Sequence, residues 1–485
     1  MEPPDGLVRV LVLGGGFSGA ATATRLVRAS GRLVVEVIDP ASETGRGPAY
    51  GTSSPRRLLN VHAGAMSAFA EFPDDFVDWR RGRDPDATAE DYARRGDYGA
   101  YVEDRFRAAV ATSGGRLRRV HATARAARRL AGGGVAVDID GRELRADALV
   151  LALGTPGHAV PDGWPSDAAG RDPRFVEDPR RREFSRSDPL DLVLIVGTGL
   201  TAVDVVADVC ATSPTGRVIA VSRRGLLPLA HVTPAPPPSR TLDASRLIGL
   251  PPLSVVREVR TAARSACDWR STIAALRPAT DAIWSGWTED ARRRFLRHAL
   301  PYWNVHRHRA APEAAATVER LRREGRFTVI AGRVAAIDGA GREGPLRATV
   351  SGRDGETLDL APTLCVNGAG PDYDVSRSGS PLLESLLASG AARPGPLGSG
   401  LDVDAHGALV DAAGAASEDV FVVGALRMGR AFETTAAPDL RRQAAEVAAR
   451  IATRADARFS EVRAALRDGA KGPSGACRTA RDGAP

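Results

Sequence analysis

Short apolar runs closed by glycine occur twice in the chain, and each leads into a stretch of small residues. Residues 8–13 (Val-Arg-Val-Leu-Val-Leu) read as a buried strand, and residues 20–29 as a helix rich in alanine and threonine. A second strand over 33–38 ends at Asp39. The pattern recurs with a strand over 192–196, a helix to about Val209, and a strand over 217–221 that ends at Ser222-Arg223-Arg224. Between the two units, residues 135–139 and 144–151 predict hairpin strands, and 157–190 reads as a Pro- and charge-rich linker. Residues 233–250 form a Pro-rich loop. Residues 252–325 predict helices and contain Trp269, Trp284, Trp287 and Trp303. Strands return over 327–367, and the apolar strand before Asn367 is expected to re-enter the first domain. A last buried strand over 419–423 ends at Gly424, a helix follows from near Thr435, and the polar tail after 455 is expected to be disordered.

The expected fold class is α/β, with two Rossmann-like dinucleotide-binding domains, one nested in the other. The expected division is residues 1–187 and 366–455 for the first domain, in two parts. Residues 188–365 make the second, with a helical insertion over about 235–325, and 456–485 form the tail.

Composition narrows the chemistry. A length of 485 residues with 43% hydrophobic and 26% charged residues is that of a globular chain of several domains. No window approaches a membrane span, and the acidic start lacks a signal-peptide pattern, so a cytoplasmic location is expected. The net charge of +7 is spread along the chain, with no basic stripe interleaved with aromatics, which argues against nucleic acid. Lys471 is the single lysine, so neither a P-loop nor a pyridoxal Schiff base can be built. Cys210, Cys267, Cys365 and Cys477 form no C-x-x-C pair, against a redox dithiol or a cysteine zinc site, and no metal is expected.

The two glycine clusters supply the candidate cofactor sites. Gly14-Gly15-Gly16-Phe17-Ser18-Gly19 fits G-x-G-x-x-G after a strand and before a helix. Gly14 permits the turn, Gly16 admits a pyrophosphate, Gly19 lets helix and strand meet, and the helix N-terminus faces the phosphates. Asp39 stands where a carboxylate grips ribose hydroxyls, so FAD is assigned here. In the second unit, Gly197-Thr198-Gly199-Leu200-Thr201-Ala202 carries alanine in the third place. Ser222 replaces the acid, with Arg223 and Arg224 next. A carboxylate would repel a 2′-phosphate and arginine pairs with it, so NADPH is expected, with a solvated charge run as the alternative. Gly154 ends a strand in the manner of the crossover by which flavoproteins leave the FAD domain. A helix N-terminus beyond Gly424, near Thr435, would suit the flavin pyrimidine.

Several stretches together resemble bacterial FAD/NAD(P)-binding proteins related to flavin-dependent N-hydroxylating monooxygenases. They are Gly47-Pro48-Ala49-Tyr50-Gly51-Thr52, Leu58-Leu59-Asn60-Val61-His62 with Met66-Ser67, and Arg95 with Tyr98-Gly99-Ala100-Tyr101. The second nucleotide motif through Asp204, Ser222 to Gly225, Tyr302 to Arg309 with Pro312, and Glu433-Thr434-Thr435-Ala436 with Pro438, Arg441 and Gln443 complete the match over about residues 8–450. His62 stands where the family has proline, and Ala369 where it often has threonine. Relatives include amino-acid N-oxygenases that form nitro products and FAD-dependent urate hydroxylases. The resemblance implies cofactor contacts from Phe17, Ser18, Tyr50, Asn60, Val61, Arg95, Leu200, Thr201, Glu433, Thr434 and Thr435. Asn60 is a candidate for the flavin edge, and Arg95 for FAD or NADPH, otherwise a surface charge. His306 and Arg309 are the candidates for substrate work. His306 and His308 would share a face if extended. Arg309 would clamp a carboxylate or pyrophosphate, unless this block only pins the insertion to the FAD domain.

The implied reaction is oxygenation of a small molecule, foremost an amine, by O2 through a flavin C4a-hydroperoxide. Catalytic residues are not identified beyond these candidates. An NADPH-dependent reductase without oxygen transfer is the alternative, and a non-catalytic flavin sensor a third. The substrate and the oligomeric state stay open, a homo-oligomer included.

Overall fold

The computed structural model describes residues 7–165, 172–341 and 343–469. Cys477 and Lys471 lie outside the described residues.

The first sheet has six strands in the spatial order Ala408–Val410, Ala416–Val422, Ala148–Leu151, Val8–Leu13, Leu33–Asp39 and Leu117–His121. Val8–Leu13 is its centre, parallel to both neighbours, with Val10 opposite Val35 on one side and Ala148 on the other. Buried on both faces, this strand is almost wholly apolar, as a parallel strand between helical layers must be. One face is covered by the helices Phe17–Ala29, Arg95–Thr112 and the long C-terminal helix Ala437–Gly469. The other carries the helix Pro381–Ala388 and a three-stranded antiparallel sheet over residues 124–146.

The second sheet has seven strands in the order Thr357–Leu360, Arg347–Gly352, Phe327–Asp338, Arg217–Ser222, Leu192–Val196, Leu364–Asn367 and Phe175–Val176. The helices Leu200–Thr212 and Pro312–Arg323 cover one face through Val203, Val206, Val318 and Leu321.

Several sequence expectations change. Residues 144–151 do not form one strand: Arg142–Ala146 belongs to the small sheet and Ala148–Leu151 to the large one, with Asp147 between them. There Asp147 accepts the Arg9 amide at 2.8 Å. The supposed linker contributes an edge strand, Phe175–Val176, to the second sheet, ahead of the expected boundary at 188. The strand Leu364–Asn367 does not re-enter the first domain but pairs with Leu192–Val196, so the boundary at 366 falls inside it. The helix Pro312–Arg323 is the crossover that joins two parallel strands of the second sheet, which ends the insertion before residue 312 rather than near 325. The C-terminal helix continues through 456–469, where the tail was expected; Ala, Arg and Glu favour a helix there. Residues 470–485 lie outside the described residues.

The insertion packs on the second part of the first domain rather than on its own sheet. Trp284 stacks on Phe432 with centroids 4.8 Å apart, and its Nε1 donates to the Gly429 carbonyl at 3.0 Å. Asp281 accepts the amides of Phe432 and Glu433 at 2.8 and 2.9 Å.

The two nucleotide units meet along a seam of two ion pairs, one of them buried. Arg57 donates from Nε to Asp208 at 2.7 Å, and its other nitrogens reach the carbonyls of Pro179, Arg180 and Arg182. The two side chains of this pair are 4% and 5% exposed. Arg95 pairs with Asp204 at 2.9 Å one helical turn away. Removing one partner leaves an uncompensated charge, so Arg57→Ala is expected to destabilise the protein by roughly 3–5 kcal/mol. Arg57→Ala with Asp208→Ala should recover part of that loss. Urea unfolding of the wild type and the two variants checks the difference.

Candidate functional site

The first glycine cradle is built by contact geometry. Gly14 has φ +101°, and a Cβ there would stand 2.4 Å from the Ala152 carbonyl oxygen of the neighbouring strand. A Cβ on Gly19 would meet the Gly14 oxygen at 1.8 Å, so only glycine lets this helix start so close to the strand. At Gly16, by contrast, the nearest atom to an added Cβ is the Gly47 Cα at 3.8 Å. Two glycine backbones therefore face each other across the mouth of the loop, just where the helix Phe17–Ala29 presents its free amides. Asp39, at the end of its strand, accepts from the amides of Gly15 at 2.5 Å and Ala41 at 2.6 Å. Its carboxylate is thus held at the rim of the cradle. These residues fit a dinucleotide pyrophosphate and ribose.

Ser18 in the first helical turn touches the third part of the site. A Cβ on Gly424 (φ +93°) would lie 3.1 Å from the Ser18 Oγ. The Gly424 amide donates to Gln443 and its carbonyl accepts from the Thr434 hydroxyl, both at 2.9 Å, and the Gln443 amide closes the ring onto Thr434. Gly424, Thr434 and the start of the C-terminal helix are one rigid corner against the cradle; that helix begins at Ala437, two residues beyond Thr435, which is exposed. Both oxygens of Glu433 accept from Arg307, at 2.8 and 2.7 Å. Phe17 and Tyr50 pack with Tyr98 in one aromatic cluster, and burial pushes the Tyr50 phenol up to about 12. Val61 packs on the edge of the same core. Gly154 is exposed with φ +72°.

The second cradle repeats the geometry. Gly197 (φ +124°) lies against the turn after the strand Leu364–Asn367, where a Cβ would meet the Gly368 oxygen at 2.0 Å. Nothing stands within 4 Å of a Cβ on Gly199, which caps the helix Leu200–Thr212. The Ser222 hydroxyl accepts from the Gly225 amide at 3.1 Å and lies 2.9 Å from the Thr198 hydroxyl, which donates to the Leu226 carbonyl at 2.6 Å. With the Thr198 proton so committed, Ser222 is the donor of that pair. The two arginines differ: Arg223 is exposed, whereas Arg224 leans on the insertion, over Tyr302 at 5.5 Å and toward the Arg297 carbonyl at 3.4 Å.

Arg95, a candidate cofactor contact, spends its guanidinium on the Leu58 carbonyl at 2.9 Å and on Asp204. With Pro48, Thr52, Arg57, Thr201 and Asp204 it lines a cleft between the two units. Burial is the main influence on Asp204 and raises its carboxyl to about 6, against the pull of Arg95 and Arg57.

The histidine-arginine block is helical where an extended segment was considered. His306 lies in the helix Leu300–Arg307 and His308 caps it, so the two do not share a face. His306 gives its Nδ1 proton to the Tyr302 carbonyl at 2.7 Å and meets Trp269 edge-on at 4.9 Å. Arg307 pins the insertion to Glu433, while Arg309 lies over Trp269 at 5.6 Å. Burial, then the charges of Arg307 and Arg270, push the Arg309 guanidinium down to about 10.

Residues that carried no motif join them. His231 reaches the Asn60 carbonyl through Nε2 at 3.0 Å and lies on Tyr92 with centroids 5.1 Å apart. A carbonyl only accepts, so Nε2 carries the proton. Burial and then the Arg309 charge lower the pKa of His231 to about 3, leaving a neutral ring. The Asn60 backbone, rather than its side chain, makes this contact. His231 lies just before the Pro-rich loop, and its backbone pairing with Ala310 only the folded chain reveals. Among the described residues no three of His, Cys, Asp and Glu converge as a metal site. Among the described residues no helix is long and apolar enough to cross a membrane.

Residues 11–156 match the family model for FAD-NAD(P)-binding. No curated protein sequence matches the chain. Solved structures do. The ornithine N-hydroxylase of Kutzneria sp. 744, described with reduced FAD, NADP+ and L-ornithine, is 16% identical with a TM-score of 0.61, over 92% of this chain and 99% of its own. The L-lysine 6-monooxygenase of Pseudomonas syringae is 16% identical with a TM-score of 0.59, over 93% and 99%. The thioredoxin reductase of Lactococcus lactis is 11% identical with a TM-score of 0.52, over 94% and 99%. The chain therefore has the fold of the two-dinucleotide-binding flavoproteins, with an FAD-NAD(P)-binding domain in residues 11–156.

Proposed function

We propose that the protein is an FAD- and NADPH-dependent monooxygenase that oxygenates a small molecule, foremost at an amine nitrogen. The observation that carries this reading is the pairing of two glycine cradles, Gly14 to Gly19 and Gly197 to Ala202, at the ends of parallel strands in two sheets held together by the buried pair Arg57–Asp208 and by Arg95–Asp204. One cradle takes FAD and the other brings the hydride donor. The flavin, when reduced, supplies the activation of O2, and NADPH supplies the hydride. The chain's own residues bind and orient. Gly14, Gly16 and Gly19 admit the FAD pyrophosphate, and Asp39 takes the ribose. Gly197, Gly199, Leu200 and Thr201 offer the helix N-terminus to the second pyrophosphate. Exposed Arg223 is placed for a 2′-phosphate, and Arg224 orders the insertion beside it. The insertion, tied down by Trp284 on Phe432 and by Arg307 on Glu433, keeps water from the seam.

The similarity in fold to ornithine and lysine hydroxylases supports oxygen transfer. Among the described residues Cys210 and Cys365 are buried and Cys267 is exposed, and no two cysteines of the chain are spaced as C-x-x-C, the pattern a disulfide reductase of this fold would use. A reductase that does not transfer oxygen is the second reading, favoured by the shared fold with thioredoxin reductase.

Purified protein is expected to be yellow with about one FAD per chain. Gly16→Val fills the open cradle and should yield colourless protein with a normal circular dichroism spectrum. Full flavin content in that variant overturns the assignment.

NADPH should reduce the flavin faster than NADH. Arg223→Ala should raise the NADPH KM about tenfold, the loss of one charge-assisted hydrogen bond, and leave NADH use unchanged. Arg224→Ala should have the smaller effect. Equal effects on both nucleotides would return Arg223 to an ordinary surface charge.

Oxygen transfer is tested by mixing the reduced protein with O2 and following hydrogen peroxide. Bound NADP+ should slow peroxide release about tenfold or more by keeping the seam closed. Release unchanged by NADP+ favours the reductase reading.

A further inference from the structure

The insertion helix Glu289–His298 touches both nucleotide units. Its Phe295 is buried in the tryptophan cluster and meets Phe432 of the first unit edge-on, with centroids 5.7 Å apart. Two residues further on, its last turn reaches the second unit, where Arg224 donates from Nη2 to the Arg297 carbonyl at 3.4 Å. The Arg224 guanidinium also lies over the Tyr302 ring at 5.5 Å. Residues 73 apart in the chain are thereby placed side by side.

That contact gathers three arginines at one edge of the second cradle. Arg223 and Arg224 follow the strand Arg217–Ser222, and the Arg297 backbone carries the carbonyl that Arg224 touches. Arg223 and Arg297 are exposed, and among the described residues neither side chain has a hydrogen bond or an ion pair. Arg224 meets a carbonyl and a ring but no carboxylate. The acids of the insertion helix stand at its other end, where Glu289 and Asp290 are taken by Arg293. Like charges gathered without an anion repel one another, and a bound phosphate relieves this. A guanidinium takes phosphate oxygens on two nitrogens, so two arginines can hold one phosphate from two sides.

We propose that Arg297, a residue of the insertion, joins Arg223 in holding the 2′-phosphate of NADPH. A phosphate held by both spans the second unit and the insertion, so the insertion takes part in the choice between NADPH and NADH. This rests on the reading of the second cradle as the NADPH site.

The test uses the FAD-bound protein with 2′,5′-ADP and 5′-AMP as probes, in calorimetric titrations. The two probes differ only in the 2′-phosphate. The wild type should bind 2′,5′-ADP about tenfold or more tightly than AMP. Arg297→Gln should weaken 2′,5′-ADP about fivefold, the loss of one exposed charge contact, and leave AMP unchanged. Arg297→Lys should recover part of the loss. Arg260→Gln removes the same charge from an exposed arginine on another helix of the insertion, and should change neither affinity.

Full affinity of Arg297→Gln for 2′,5′-ADP, an equal loss for AMP, or an equal loss in Arg260→Gln overturns the proposal. Inorganic phosphate is the other source of the anion. If it displaces 2′,5′-ADP from the wild type at equal concentration, the arginines form a general anion site and the proposal falls. If Arg223→Ala weakens 2′,5′-ADP and Arg297→Gln does not, the NADPH reading stands and Arg297 is an ordinary surface charge. If the wild type binds 2′,5′-ADP no better than AMP, the NADPH reading falls and takes the proposal with it.

Discussion

The contact between Arg57 and Asp208 sets the frame in which everything else acts. Each nucleotide unit has its glycine cradle at the end of the parallel strands of its sheet, and the two cradles open onto one cleft only because those ends face each other. Arg57 sits at that junction, almost wholly buried. One planar guanidinium satisfies a carboxylate and three carbonyls from residues 179–182 at once, which the single ammonium of a lysine would not do. Ser54 adds a hydroxyl contact to the same carboxylate. Asp204, four residues earlier on the same helix, meets Arg95 beside it. The nucleotide helix of the second unit is therefore gripped along one side by the first unit, next to its own free N-terminus.

The insertion adds a second constraint. Its core of Trp284, Trp287 and Phe295 is completed by Phe432, a residue of the first domain. Asp281, Arg277 and Arg307 bind the segment 432–439 from the same side. That segment leads through Thr434 into the Gly424 corner, which touches Ser18 in the first cradle. A continuous chain of packed and hydrogen-bonded groups thus runs from the tryptophan cluster to the pyrophosphate loop. Movement of the insertion would be felt at the first glycine cradle.

Much of the fold and part of the site were legible in the chain. The two glycine motifs, their strands and helices and the acid at Asp39 follow from local rules: glycine where a Cβ would strike a carbonyl, apolar runs where a strand is covered on both faces, small residues where helix meets sheet. The single lysine, Lys471, spoke against a P-loop, and the spacing of the four cysteines against a redox dithiol. Tertiary structure decided the rest, because it depends on which distant segments meet. The sequence pattern cannot tell a strand that closes its own sheet from one that re-enters another, and so Leu364–Asn367 was placed in the wrong domain. It cannot tell a crossover helix from an inserted one when both are amphipathic, as with Pro312–Arg323. Arg95 and Glu433 look like free polar groups in one dimension and prove to be half of ion pairs in three. His231 and Tyr92, some 140 residues apart in a chain of 485, carry no motif, since what marks them is their ring contact in the folded chain. Local chemistry determined where the two glycine cradles form; long-range packing decided which charges found a partner.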